Sequence, residues 1–78
     1  MEKNFETADL YLSAAICVPL SIYPTFKVEN KMTLFVFPAC DEVYEAINGF
    51  NNGAKINAYE YAQMIKRLRA EIIMRRGK

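Results

Sequence analysis

The sequence predicts a single small α+β domain in the order α-β-β-α-α, a two-stranded antiparallel hairpin packed with three helices. Three observations lead there. Two runs rich in β-formers, Leu20–Val28 and Met32–Phe37, flank a short polar break at Glu29-Asn30-Lys31. Capped stretches with helical spacing lie before and after them, at residues 8–18, 41–50 and 57–76. The chain has 78 residues, enough for one compact domain and not for two.

Taken in order, residues 1–6 are charged and expected to fray, with Phe5 folding back onto the body. Thr7 reads as an N-cap and Asp9 suits the positive end of the first helix, Ala8 to about Val18. Only Ser13 is polar between Leu10 and Val18, so this helix should be enclosed on most sides. Ala14 and Ala15 allow close approach, and Pro19 is expected to stop the helix. In the next run Leu20, Ile22, Phe26 and Val28 share a parity, while Pro24 argues for an edge strand or a bulge. Asn30 can take a left-handed turn conformation. Both parities of Met32–Phe37 are apolar, so both faces of that strand are expected to be covered.

Pro38-Ala39-Cys40-Asp41 turns the chain into a second helix that carries Asp41 and Glu42 in its first turn and Val43, Ile47 and Phe50 on its inner side. Gly53 is placed to end it. Asn57 then caps the longest helix, with Glu60 positioned for a capping box and Ile56 and Tyr61 for a hydrophobic staple. Tyr61, Ile65, Leu68 and Ile72 form one apolar stripe, which makes this helix the expected organiser of the fold.

The composition is 53% hydrophobic and 13% aromatic, which excludes disorder. For so short a chain it implies a dense core, or apolar area covered by a second copy or another protein. The net charge of +1 implies no bulk attraction to nucleic acid or membrane, yet the charge is unevenly spread. Residues 1–65 carry four lysines against eight acids, and residues 66–78 carry six cations against Glu71 alone. Cys17 and Cys40 make neither a disulfide framework nor a zinc site, and reduced thiols in a cytoplasmic protein are expected. Acidic residues precede Leu10–Val18 where a secretion signal would be basic, and the run is too short to span a bilayer.

Phe5-x-Thr7-x-Asp9-Leu10-Tyr11-Leu12, the pair Phe35 and Phe37, and Asn52-Gly53 followed by Asn57-x-x-x-Tyr61 resemble a small bacterial and phage-associated domain of unknown function. The resemblance covers most of the chain, although Pro19-Leu20-Ser21 stands where that family has a glycine-containing turn. It implies a prokaryotic or phage setting and an independently folding domain, and it supplies no catalytic residue.

Enzymatic chemistry has poor material in a chain without histidine, and helix capping accounts for Asp9, Asp41 and Glu42. Gly49 and Gly53 lack the context of a phosphate loop. No catalytic residue, cofactor or metal is therefore expected. The functional lead is the basic helix, where Ala62, Lys66, Arg69, Ile73 and Arg76 lie together beside the apolar stripe. Arginines around an apolar anchor suit a protein contact, which makes Lys66, Arg69, Ile73 and Arg76 the candidate partner-binding residues. The competing reading is a solvated face whose cations complement the helix dipole, with Glu71 and Arg75 as an ordinary surface pair. The five tyrosines do not interleave with the arginines as single-strand binders require, and the basic residues lie at the far end of any helix-turn-helix. The expected function is a non-catalytic protein-interaction module of a phage or mobile element, with inhibition of a host system as one role. Its partner is another protein or a second copy in a homodimer, with no role for membrane. The alternative is a weak nucleic-acid-binding accessory protein that uses the same helix.

Overall fold

The run Met32–Pro38 alternates Thr33, Phe35 and Phe37 with Leu34 and Val36, and it becomes the middle strand of a sheet. The computed structural model describes residues 3–76, with the side chain of Arg76 outside that set. Its elements are β1 (Asn4–Thr7), α1 (Leu10–Leu20), β2 (Thr25–Glu29), β3 (Met32–Pro38), α2 (Asp41–Asn51) and α3 (Ala58–Arg76). The expected α-β-β-α-α series is present, preceded by a strand. The antiparallel sheet has three strands in the order β1-β3-β2, which corrects the two-stranded hairpin.

Frayed ends were expected at residues 1–6; instead Asn4–Thr7 pairs along β3, with Phe5 opposite Phe37 and Thr7 opposite Phe35. Met1 and Glu2 lie outside the described residues. A hairpin alone would leave the main chain of β3 open on one side, directly above the core, and β1 closes it. On the other side Glu29 and Met32 close a two-residue turn in which Asn30 and Lys31 both have positive φ, 52° and 66°. That is the turn geometry whose twist matches paired strands. β2 begins later than Leu20, because Leu20 belongs to α1; Pro24 lies just ahead of the strand, which is an edge strand as expected.

Period-two geometry places Phe5, Thr7, Phe26, Thr33, Phe35 and Phe37 on the helix-facing side of the sheet. Phe35 and Phe37 are buried there, in one cluster with Ala14, Ile16, Cys17, Val43 and Leu68. The opposite face is not covered by a helix, which corrects the expectation for β3: Leu34 and Val36 are only half-buried and Met32 is exposed. Lys27 crosses this face beside Leu34 and Val36. It stands opposite Leu34 and extends across the strip to Glu6 on β1 at 3.4 Å, with Glu29 at 3.5 Å. So exposed a pair adds little Coulombic stability, but the aliphatic stem of the lysine covers apolar surface.

α1 is the element everything else surrounds. Ser13 to Cys17, more than a full turn, are all at most 1% exposed, so the middle of the helix is enclosed on every side. The small side chains of Ser13, Ala14 and Ala15 let α2 and α3 pack close to it. This central place belongs to α1 and not to the long C-terminal helix. Its N-cap is Asp9, whose Oδ1 accepts from the N–H groups of Tyr11 and Leu12, both at 3.0 Å. Thr7, the residue expected to cap, is held in β1 and uses its hydroxyl to accept from the N–H of Asp9 at 3.1 Å. Asp9→Ala should lower stability by about 1 kcal/mol, read from urea unfolding, whereas Thr7→Ala should lose less through capping. Equal losses would contradict this assignment.

Pro19 was expected to end α1 but sits inside its last turn, where it removes one helical hydrogen bond without preventing a final residue. The helix closes at Ser21, which takes the left-handed conformation at φ 53°. The N–H of Ser21 bonds the carbonyl of Val18 at 3.3 Å and that of Ile22 bonds Cys17 at 3.2 Å, a Schellman ending.

Candidate functional site

The candidate surface lies on α3, and the cap that starts this helix is the one its sequence announces. The Asn57 carboxamide oxygen accepts from the N–H of Glu60 at 2.9 Å. From there the stripe faces inward: Leu68 is fully buried, and Tyr61, Met64, Ile65 and Ile72 pack against the core partly buried. The Tyr61 hydroxyl donates to the main-chain carbonyl of Tyr11 at 3.1 Å and fixes α3 to the start of α1.

Beside that stripe, about a quarter turn round the helix, lie Lys66, Arg69 and Ile73, all exposed, with Ile73 60% accessible. Spaced by three and four residues, these side chains line one side of the helix. The ion pairs among the described residues are Lys27 with Glu6, Lys27 with Glu29, and Arg75 with Glu71, so Lys66 and Arg69 enter none of them. Arg76 continues this face by helical phase; its side chain lies outside the described residues. Tyr59, two turns ahead of Lys66, adds exposed area on this side of the helix, whereas the exposed Met74 lies on the side toward β2, with Val28, Glu71 and Arg75.

The cationic segment is not uniform. Arg67 lies over the ring of Tyr23, 4.8 Å from its centroid, and Arg75 over the ring of Phe26 at 4.2 Å. Glu71 joins them, pairing with Arg75 and accepting from the Tyr23 hydroxyl at 3.4 Å. Burial, followed by the Glu71 carboxylate, raises the Tyr23 phenol above its ordinary pKa. These two arginines therefore fasten α3 to β2 and the segment before it, through cation–π contacts of roughly 0.5–1 kcal/mol each. Sequence reasoning missed this role, since Tyr23 and Phe26 lie more than forty positions upstream and no local spacing marks them as partners.

Between the end of α1 and the first half of α3 lies an open groove of about 450 Å³, lined by residues that include Cys17, Tyr23, Tyr59, Gln63 and Arg67. Cys17 forms part of its floor without exposing surface, and burial pushes its thiol up to about 12. A thiol held in its protonated form is a small hydrophobe and not a nucleophile. Among the described residues no group of three or more His, Cys, Asp and Glu side chains is arranged to hold a metal ion. None of the described helices is long and apolar enough to cross a membrane. No family model matches the chain, and neither a curated protein nor a solved structure matches it.

Proposed function

We propose that this chain is a non-catalytic interaction module that contacts a protein partner through Lys66, Arg69, Ile73 and, by helical phase, Arg76. The observation that carries the reading is Ile73: a β-branched apolar side chain stands 60% exposed on the same face as two exposed cations that enter no described ion pair. A face selected only for solubility needs no isoleucine there, whereas contact surfaces commonly seat an apolar anchor within a charged rim. The matching partner presents an apolar pocket bordered by carboxylates. A phage or mobile-element setting rests on the resemblance of Phe5–Leu12 and the Asn52-Gly53 hinge described above; inhibition of a host system fits that setting and the size of the chain, and no residue carries it.

Affinity capture from bacterial extract, with the wild-type chain against Ile73→Ser, tests the reading. A specific partner should bind at moderate salt and lose at least tenfold in affinity with the serine variant, as expected for a central anchor. Binding to DNA or RNA that falls steeply with salt, and weakens with each of Lys66 and Arg69 removed, would replace this reading with the nucleic-acid one. If Lys66→Glu, Arg69→Glu and Ile73→Ser together leave every interaction intact, the face is solvated surface.

A further inference from the structure

The open edge of β2 is self-complementary, and the main-chain phase of the sheet shows how. The N–H of Ala39 bonds the carbonyl of Lys3 at 3.1 Å, on the β1 side. Alternation along an antiparallel ladder then turns Phe35 and Phe37 toward β1, and Met32, Leu34 and Val36 toward β2. Their partners Glu29, Lys27 and Thr25 are thereby bonded inward, which leaves the N–H and C=O groups of Phe26 and Val28 directed at the open edge. The two-residue turn agrees, because such a turn is closed by a bonded pair, here Glu29 and Met32. Neither proline nor bulge interrupts Thr25–Glu29, and Val28, on the helix-facing side, is 57% exposed.

A second copy laid antiparallel along this edge must match outward-directed residues with one another, so its two-fold axis passes through Phe26, Lys27 or Val28. Centring on Phe26 sets Pro24, which has no N–H, opposite Val28. Centring on Lys27 opposes two lysines in a close non-bonded pair, a repulsive arrangement. Centring on Val28 gives reciprocal main-chain bonds between the two Val28 residues and sets Lys27 opposite Glu29 of the other copy, twice. Each Lys27 already lies 3.5 Å from its own Glu29, so the four charges would alternate in one cluster. On the helix-facing side the paired valines meet a depression of about 480 Å³ lined by Val28, Glu71, Met74 and Arg75, where Met74 is 64% exposed.

We propose that β2 is a self-association edge, through which two copies pair antiparallel about Val28 and join their sheets into one of six strands. The contact uses a different surface from the outward face of α3, so either reading can fail alone. Sedimentation equilibrium of the full chain should show a concentration-dependent monomer–dimer equilibrium. Lys27→Glu should weaken the dimer roughly tenfold or more by opposing like charges twice, and Lys27→Glu with Glu29→Lys should restore it. Val28→Pro removes both central N–H donors at a position where an edge strand tolerates proline, and should leave a folded monomer, with circular dichroism confirming the fold. Lys66→Glu with Arg69→Glu should leave the dimer unchanged. A chain that stays monomeric to millimolar concentration, or a dimer that survives Val28→Pro and Lys27→Glu in folded protein, overturns the proposal.

Discussion

Phe35→Ala is expected to lower the unfolding free energy by about 3–5 kcal/mol, the range for removing a fully buried phenylalanine. A domain of this length has a total of roughly 4–12 kcal/mol, so the variant should be largely unfolded at moderate urea concentration. The reason is its position. Phe35 is 0% exposed on the middle strand, with Thr7 and Phe26 as its two cross-strand neighbours, and its ring meets that of Phe26 edge-on at 5.7 Å. It touches both pairings of the sheet and the helices at once. Leu34→Ala provides the comparison, because Leu34 points to the uncovered face and is only half-buried. It should cost about 1 kcal/mol, corresponding to partial loss of buried apolar area. Similar losses in the two variants would mean that the assignment of the two sheet faces is mistaken.

The protein should also lose stability in alkali, and Cys17 should be the main cause. Burial raises its thiol from 9.0 to about 12, against a smaller lowering influence from the charge of Arg67. Below about pH 9 the thiol is protonated whether the chain is folded or not, and it adds no pH dependence. Between about 9 and 12 the unfolded chain releases the proton and the folded chain retains it, so stability falls as the pH rises. Integrated across that interval, the loss is on the order of 4 kcal/mol. The Tyr23 and Tyr61 phenols and the Lys27 ammonium are also raised, which adds slope of the same sign. Cys17→Ala should start from lower stability, because it opens a small cavity, yet its urea midpoint should change much less over this range. Parallel slopes for the two proteins would show that the thiol is not enclosed. A thiol reagent at neutral pH should correspondingly modify Cys40, which is partly accessible, and reach Cys17 only on unfolding.

The parts of the fold that could be read in advance are those whose signals are local. Asn57 and the spacing of Tyr61, Ile65, Leu68 and Ile72 define α3 within one stretch of chain, and the near absence of polar residues from Leu10 to Val18 is enough to enclose α1. Position on the helix wheel likewise placed Lys66, Arg69 and Ile73 outside. What escaped depends on partners distant in sequence. β1 contains a single large apolar side chain in four residues, too few to show a period, and its reason for existing is the unfilled side of β3 some thirty residues later. The shift of the α1 cap from Thr7 to Asp9 follows from that strand, since a residue paired opposite Phe35 cannot also begin a helix. Arg67 and Arg75 look like ordinary members of a basic run until Tyr23 and Phe26 are brought beneath them.

The pairing of β1 with a strand some thirty residues away bears on any shortening of the chain. Removing Asn4–Thr7 would delete the ribbon lying beside Phe35 and Phe37 and leave a row of unmet amides beside the interior. A purification tag placed at the front would extend straight from a rung of the ladder. A spacer between tag and Lys3 is the prudent choice, so that β1 is free to pair with β3.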